Sequence, residues 1–224
     1  MHLKGVPLVK EAYKTIYQGG AGEYVVKKSR FIATICPVET EEQAIEIIDG
    51  LKKKYWDAAH NCSAYVIGSD QAILRCSDDG EPSKTAGKPM LDILIAQGLT
   101  NMVVVVTRYF GGTLLGTGGL VKAYQSAVLE GLTNCEIIKK ELGVQFNIIV
   151  DYSAGGKLQY MISQEELILI NSSYTDQITF CLLIPPSKLD FVTKKVAELT
   201  NGSATIEILD QVYFAIHNSK VVLF

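Results

Sequence analysis

The sequence predicts an α+β protein of two domains, residues 1–138 and 139–224. Of its 224 residues, 48% are hydrophobic and 20% are charged, which supplies apolar side chains for two buried cores and argues against disorder. Strand-like alternation and helix-like stripes follow one another through the first domain. The second domain has the order strand, helix, strand, strand, helix, strand, which is the ferredoxin-like βαββαβ motif.

The first domain opens with a predicted hairpin and a long helix. Residues Gly22–Val38 alternate in polarity around the basic turn KKSR, as two paired strands do. Thr40 and Gln43 form a capping box at the start of a helix over Glu41–Tyr55. This helix presents one apolar stripe, made of Ala44, Ile45, Ile48, Leu51 and Tyr55.

The remainder of the first domain alternates regular elements with polar or glycine-rich segments. The predicted elements are two strands at Asn61–Ile67 and Gln71–Cys76, a polar loop at Ser77–Pro89, a short helix at Met90–Gln97, a buried strand at Met102–Thr107, a glycine-rich segment at Arg108–Gly119, a helix at Leu120–Leu132, and a closing strand or linker at Cys135–Glu141. Both segments that could carry chemistry therefore precede a helix.

Alternating apolar residues define the strands of the second domain. The predicted elements are a strand at Leu142–Val150, a helix capped by Ser153, a hairpin of Leu167–Ser173 and Gln177–Ile184, a helix capped by Ser187 with Phe191, Val192, Val196 and Leu199 facing inward, and a closing strand at Thr205–Ile216.

Composition excludes several classes of protein. The longest aliphatic run, Val103–Val106, is far shorter than the roughly 20 residues that a membrane helix needs, and residues 1–13 lack the apolar core of a secretory signal. Five scattered cysteines without a C-x-x-C pair indicate reduced thiols in the cytoplasm. Residues 1–140 carry a net charge of +1 and residues 141–224 one of −4, so any RNA contact should be local and in the first domain.

The glycine-rich segment is the strongest candidate binding site. Glycines between a strand and a helix allow several backbone N–H groups to converge on a phosphate or carboxylate, and the helix amino terminus adds positive potential. The predicted anion contacts are Arg108, Gly111, Gly112, Gly116, Gly118 and Gly119. The segment matches neither a P-loop nor a dinucleotide-binding fingerprint. A tight strand-to-helix connection without a ligand is the alternative.

The polar loop and His60 are further candidates. Asp78, Asp79 and Glu81 could hold magnesium, although Asp-Gly and Glu-Pro are also ordinary turn formers; Ser83 and Thr85 are exposed hydroxyls without a recognisable base. His60 could share a metal with Cys62, act as a general acid–base, or hydrogen-bond a polar loop; the last interpretation is favoured because a zinc site would need more ligands. We therefore expect no catalytic residue, metal or cofactor.

Four segments together resemble the YigZ/IMPACT family: KKSRFIA (27–33), DAAHNCSAY (57–65), SDDGEPSKTAG (77–87) and RYFGGTLLGTGGLVKAY (108–124). The resemblance implies a first domain with a βαβ fold shared by a ribosomal-protein domain and by the fourth domain of elongation factor G, followed by a ferredoxin-like domain. It also implies a role in translation, because eukaryotic relatives regulate translation by competing for a ribosome-associated activator of a stress kinase.

Two departures from the family pattern concern charge. Lys84 stands where the family has glycine, and Leu114 stands where it has a basic residue. If the two segments face each other, Lys84 replaces the missing cation.

Three functions remain open. The first is a non-catalytic translation-associated protein that contacts RNA, the ribosome or a ribosome-associated protein through Arg108, Lys84 and the glycine-rich segment, with Lys27, Lys28 and Arg30 nearby. The second is an enzyme that uses a nucleotide or phosphorylated substrate with magnesium. The third is a protein–protein module whose partner contacts the polar loop, a contact that salt would weaken less than a phosphate contact.

Overall fold

A computed structural model describes residues 10–224, so residues 1–9 of the stretch assessed for a secretory signal lie outside the described residues. The chain divides into two compact units, with the division between Lys139 and Lys140. The predicted α+β class is confirmed, since both units combine sheets with helices. Among the described residues, no helix has the length and apolarity that a membrane span requires.

The first unit contains most of the regular elements. They are β1 (Ala12–Gln18), β2 (Gly20–Val26), β3 (Ser29–Pro37), α1 (Glu41–Lys54), β4 (His60–Ile67), β5 (Ile73–Ser77), α2 (Gly87–Ala96), β6 (Leu99–Thr100), β7 (Met102–Tyr109), α3 (Gly116–Thr133) and the start of β8 (Glu136–Val150).

A five-stranded antiparallel sheet in the order β2-β3-β7-β4-β5 is the centre of the first unit. Its middle strand β7 is buried on both faces, as its run of valines predicts. Val104 and Val106 belong to the core that α2 and α3 cover, whereas Val103 and Val105 pack in the core that contains Ala44 of α1. The sheet is thus a middle layer between two layers of helix.

The first helix forms where the capping signals place it. The Thr40 side chain accepts a hydrogen bond from the Gln43 N–H, and the Gln43 side chain accepts one from the Glu39 N–H. The predicted apolar stripe is wrong at Ile45, which is 47% exposed. Ile47 packs against the core instead, because it lies three positions after Ala44 and four before Leu51, the spacing that places side chains on one face of a helix.

The second unit has the predicted ferredoxin-like order. Its elements are β8, α4 (Tyr152–Gln164), β9 (Ile168–Tyr174), β10 (Ile178–Ile184), a 3₁₀ turn at Pro186–Lys188, α5 (Leu189–Thr200), β11 (Thr205–His217) and β12 (Lys220–Leu223). The antiparallel strands run in the order β9-β10-β8-β11, with β12 outside β11. Leu158, Met161 and Ile162 of α4 pack in the core as predicted.

Three details of the second unit differ from the prediction. Phe191 is 54% exposed, and Val192 and Val196 supply the buried face of α5 without it. Neither Ser153 nor Ser187 occupies an N-cap position; Asp151 and Lys188 do, without side-chain cap hydrogen bonds. The added strand β12 follows a turn in which Asn218 and Ser219 both adopt positive φ.

Candidate functional site

Three side chains at one end of the five-stranded sheet form a row across strands β3, β7 and β4. Arg108 of β7 lies directly opposite Phe31 of β3 and directly opposite His60 of β4. Directly opposite residues of antiparallel strands point to the same face. Phe31 belongs to the core beneath α2 and α3, so Arg108 and His60 face the same side as these helices.

The Arg108 guanidinium forms a buried ion pair with Glu81. Arg108 Nη1 lies 2.5 Å from Glu81 Oε1, and only 7% and 2% of the two side chains are exposed. The Tyr124 hydroxyl of α3 donates to the same carboxylate oxygen at 2.8 Å. The guanidinium also lies 5.4 Å from the Phe31 ring centroid and 5.7 Å from that of Phe110. Arg108 Nε is buried without a hydrogen-bond partner.

Glu81 reaches this position because Asp78 folds the polar loop. The Asp78 carboxylate accepts hydrogen bonds from the backbone N–H groups of Lys84, Ala86 and Gly87. The Asp78 carbonyl accepts another from the Glu81 N–H at 2.9 Å. Two of the three amides bonded to the carboxylate, those of Ala86 and Gly87, lie at the start of α2, where a negative charge is favourable. The Asp78 carboxylate therefore stabilises the backbone conformation of the polar loop.

Asp79 connects the same loop to α1 and β4. Its carboxylate lies 2.7 Å from Lys52 Nζ and accepts from the Asn61 N–H at 2.7 Å. Its carbonyl oxygen lies 2.8 Å from His60 Nδ1. A carbonyl can only accept, so Nδ1 carries the proton and donates. In the neutral ring this leaves Nε2 as an acceptor, and Nε2 lies 3.9 Å from Glu81 Oε1.

Cys62 and Tyr124 complete the buried polar cluster. Cys62 Sγ lies 3.0 Å from the Asp78 carbonyl oxygen and 3.3 Å from the Tyr124 hydroxyl. Burial raises the pKa of Cys62 to about 12, and burial likewise raises the pKa of Tyr124. Both groups are therefore neutral at physiological pH, and the thiol is not an activated nucleophile.

The glycine-rich segment is shorter as a loop than predicted. Helix α3 begins at Gly116 rather than Leu120, so Gly118 and Gly119 belong to its first turn. Gly111 approaches the β2–β3 turn, where a Cβ would lie 2.1 Å from the Lys28 carbonyl carbon. The Gly111 N–H donates to Ser29 Oγ at 3.0 Å. Close packing thus explains Gly111, whereas Gly112 and Gly116 have positive φ and open space.

The amino terminus of α3 borders a cavity of about 540 Å³. Leu115, the N-cap residue, makes no side-chain cap hydrogen bond, and the first turn contains no acidic residue. The first-turn N–H groups therefore retain their positive potential. The lining is apolar apart from a few polar groups, and consists of Ala59, His60, Glu81, Pro82, Arg108, Phe110, Leu114, Leu115, Gly116, Thr117 and Leu120.

The cavity brings together only part of the predicted site. Arg108, His60, Glu81 and Gly116 line it, so both candidate segments border one space. The other predicted residues lie outside the lining: Lys28, Arg30, Asp78, Asp79, Ser83, Lys84, Thr85, Gly111, Gly112, Gly118 and Gly119. Leu114 lines the cavity and Lys84 does not. Arg30 is exposed and paired with Glu23.

The predicted magnesium ligands are engaged by protein groups. Asp78 binds backbone amides, Asp79 binds Lys52 and the Asn61 amide, and Glu81 binds Arg108 and Tyr124. Within residues 10–224 no cluster of three or more histidine, cysteine, aspartate or glutamate side chains could hold a metal ion. Thr85 is buried, and its hydroxyl donates to the Pro82 carbonyl; it is not the exposed hydroxyl that was predicted.

Sequence reasoning missed several residues of the site. Tyr124 was not among the predicted site residues, since the partner of its hydroxyl, Glu81, is 43 residues away in sequence. Phe110, Leu114 and Leu115 of the loop form the apolar wall. The sequence signal that could have indicated such a wall is the presence of large apolar residues within a glycine-rich segment, and the structure leaves Phe110 52% and Leu114 82% exposed.

Comparison with known proteins gives matches over both units. A family model described as the Impact N-terminal domain matches residues 27–132, and one described as a domain of unknown function, DUF1949, matches residues 148–203. The chain belongs to the IMPACT family. The family resemblance predicted from four segments is thereby confirmed, and the first match contains every residue that lines the cavity.

Relatives within the IMPACT family match most of the chain. The IMPACT family member YvyE of Bacillus subtilis is 39% identical over 88% of this chain and 90% of its own length. The IMPACT family member YigZ of Escherichia coli is 34% identical over 83% and 92%. A crystal structure of a hypothetical protein, 32% identical, gives a TM-score of 0.58 over 90% of this chain and 99% of that one.

Proposed function

We propose that this IMPACT family member is a non-catalytic, translation-associated regulatory protein that binds RNA, the ribosome or a ribosome-associated protein. The single observation that carries the proposal is the cavity beside α3, in which the buried Arg108–Glu81 pair and a helix amino terminus face one apolar-walled space. Such a combination of apolar walls with a few fixed polar groups is typical of a binding site. The role in translation rests on family membership.

The chemistry of the cavity favours binding over catalysis. The pKa of Cys62 is raised to about 12, so a thiolate is not present at neutral pH. Glu81 accepts hydrogen bonds from Arg108 and Tyr124, which hold its carboxylate in a fixed position. No described carboxylate of the polar loop is left unengaged to hold magnesium.

The burial of Arg108 changes the role that we propose for its side chain. A side chain that is 7% exposed and paired with Glu81 cannot reach a phosphate on the surface of an RNA helix. Arg108 instead shapes the floor of the cavity, and the anionic group of a partner would meet the first turn of α3. Lys28 and Lys84 lie at exposed positions outside the lining, where they could add screened, long-range attraction.

Co-sedimentation with ribosomes from matched cells, at low and near-physiological salt, tests this proposal. The variant Thr117→Glu places a carboxylate in the first turn of α3, where it should repel a bound anion, while Thr117→Gln is neutral and of the same size. We expect salt-sensitive binding by the wild type and by Thr117→Gln and weaker binding by Thr117→Glu. Absence of binding at both salt concentrations would overturn the proposal.

His60 favours a second candidate, an enzyme that acts on a nucleotide or phosphorylated substrate. Its Nδ1 is fixed by the Asp79 carbonyl, which leaves Nε2 as an acceptor in a residue that lines the cavity, the arrangement that a general base requires. Incubation with nucleotides, with and without magnesium, tests this candidate through product formation. Turnover that His60→Gln abolishes would establish the enzyme; the binding proposal predicts no turnover.

A further inference from the structure

We infer that one end of the five-stranded sheet binds single-stranded nucleic acid, with a base stacked on Trp56 and phosphate groups at Lys27 and Lys28. The inference goes beyond the proposed function, since none of these three residues lines the cavity. It rests on the backbone conformation of the β2–β3 turn and on the aromatic and basic side chains near the end of β7.

The β2–β3 turn holds two consecutive lysines in a backbone conformation that lysine disfavours. Strands β2 and β3 pair up to the turn, so Lys27 and Lys28 form a two-residue connection, which we call the lysine turn. Their φ angles are 47° and 67°, and a hairpin turn with two positive φ angles strongly prefers Asn-Gly. The turn between β11 and β12 also has two positive φ angles and uses Asn218 and Ser219. Local conformation therefore does not explain the two lysines.

Packing does not explain the two lysines either. Both are exposed, and within residues 10–224 neither ammonium group takes part in an ion pair. Gly111 packs against the backbone of Lys28, a contact that does not require a lysine side chain. Residues held in disfavoured backbone conformations cluster at functional sites. Two cations without counterions at the tip of a hairpin are suited to the phosphates of a nucleic-acid strand.

Trp56 supplies the flat apolar surface that a base requires. Its side chain is 82% exposed, although tryptophan is on average a highly buried residue. Lys54 Nζ lies 5.0 Å from the ring centroid of the neighbouring Tyr55, which places a cation beside this segment. Exposed aromatic rings next to cations are the surfaces on which proteins stack the bases of single strands. Lys54 itself also complements the dipole of α1, so the inference depends on Trp56 and the lysine turn.

Strand pairing and a hydrogen bond bring Trp56 and the lysine turn to the same end of the sheet. Asp57, next to Trp56, accepts a hydrogen bond from the Tyr109 hydroxyl at 3.0 Å. Tyr109 lies directly opposite Arg30, which follows the lysine turn in β3, and the Arg30 guanidinium lies 5.8 Å from the Tyr109 ring centroid. Tyr109 follows Arg108 in β7 and points to the opposite face of the sheet, so this surface is separate from the cavity.

The charges and shape of this surface favour a single strand over other partners. Glu23 pairs with Arg30, and Asp57 is engaged by Tyr109, so the lysine turn supplies the positive charge that is left for a ligand. A duplex keeps its bases stacked inside the helix, where the Trp56 ring cannot reach them. An acidic protein segment would meet the lysines but would leave the Trp56 ring without a planar partner.

The fluorescence of Trp56 tests the inference directly, because Trp56 is the sole tryptophan of the sequence. The purified full chain is titrated at low salt with oligouridylate and oligoadenylate of about eight nucleotides, with their deoxy counterparts, with duplex RNA and with polyglutamate. We expect the single strands to quench the fluorescence and to bind about tenfold or more tightly than the duplex and polyglutamate. The tighter of the ribose and deoxyribose strands identifies the natural source. Absence of quenching by every single strand, or equal binding of duplex or polyglutamate, would overturn the inference.

Conversion of the lysine turn to Asn-Gly separates binding from stability. The double variant Lys27→Asn, Lys28→Gly has the preferred turn sequence, so its urea midpoint should rise. Its oligonucleotide binding should weaken, and the slope of log K against log salt concentration should become shallower by about 1.4, since each phosphate contact of a single strand contributes about 0.7. A loss of binding with a gain of stability cannot result from misfolding.

The control for this double variant combines Lys157→Asn with Lys220→Asn, which removes two exposed lysines of the second unit and should leave binding unchanged. A lowered urea midpoint of the Asn-Gly variant, or binding by it equal to that of the wild type, would overturn the inference.

Replacement of Trp56 by alanine tests the stacked base. Binding is followed by the fluorescence anisotropy of a labelled oligonucleotide, and we expect it to weaken about tenfold. Trp56→Phe, which keeps an aromatic ring, should retain part of the affinity. Tyr160→Ala, at a 67% exposed aromatic residue of the second unit, is the control and should bind as the wild type does. Unchanged binding by Trp56→Ala would overturn the role of stacking.

The outcome is separable from that of the ribosome experiment. Ribosome association without oligonucleotide binding would refute the inferred surface and leave the proposed function in place. Oligonucleotide binding without ribosome association would overturn the proposed function and leave the inferred surface in place.

Discussion

Replacement of Glu81 by alanine should destabilise the first unit severely. The change leaves the Arg108 guanidinium buried without its counterion and removes the acceptor of the Tyr124 hydroxyl. Breaking one partner out of a buried ion pair costs about 3–5 kcal/mol. Arg108 keeps its contacts with the rings of Phe31 and Phe110, which are worth about 1–2 kcal/mol for a desolvated cation, so we expect a loss near the lower end, about 3 kcal/mol.

Native-state hydrogen exchange of the β4 and β7 amides, measured as urea is raised, gives the free energy of unfolding of this unit alone. The control is Glu23→Ala, which removes an exposed pair with the same N–O distance of 2.5 Å and should leave stability unchanged within error. Replacement of both Glu81 and Arg108 by methionine should recover most of the loss, since no buried charge then remains. A Glu81→Ala variant as stable as Glu23→Ala would refute the reasoning.

Three further predictions follow from contacts of the first unit. Gly111→Ala should lower the free energy of unfolding by about 1–3 kcal/mol, because the added Cβ overlaps the β2–β3 turn. Gly118→Ala, in open space within a helix, should raise it by about 0.5–1 kcal/mol, and urea unfolding of both variants checks these opposite signs. Cys62 should resist thiol reagents at pH 8 until the protein unfolds, since burial raises its pKa to about 12. The exposed Cys76 should be modified under the same conditions, and peptide mass spectrometry distinguishes the two sites. Rapid modification of Cys62 in the folded state would contradict this prediction. Thr40→Ala removes the α1 cap and should cost about 1 kcal/mol in thermal or urea unfolding; an unchanged midpoint would contradict it.

Local pattern was enough for most of the fold. The capping signals of α1, the valine run of β7 and the alternation of β8 each act within one element, so they are readable without knowledge of the neighbours. Strand β1 was missed because its partners in the sheet, β8 and the two-residue strand β6, are both distant in sequence. The start of α3 was missed because glycines are poor helix formers, and only the packed structure shows that Gly116 begins the helix.

The site was less predictable because it depends on contacts between distant segments. Arg108, Glu81 and His60 were all candidates, but the sequence does not show that the first two neutralise each other across 27 positions. Lys84 was expected to compensate for Leu114 if the two segments face each other, and only the folded loop shows that Lys84 lies outside the cavity lining. Tyr124 looked apolar because its partner Glu81 is 43 residues away.

The three amide hydrogen bonds accepted by Asp78 have a consequence for how the motif SDDGEPSKTAG should be interpreted. Several residues of this motif fix the path of the backbone. The Asp78 carboxylate accepts hydrogen bonds from backbone amides, the Asp79 carboxylate links the loop to α1 and β4, and the Thr85 hydroxyl donates to the Pro82 carbonyl. The motif therefore specifies the conformation of the loop in a protein that carries it, and the motif alone does not tell what that protein binds. Differences in ligand among such proteins should be sought at the positions of Phe110 and Leu114, whose exposed side chains line the cavity.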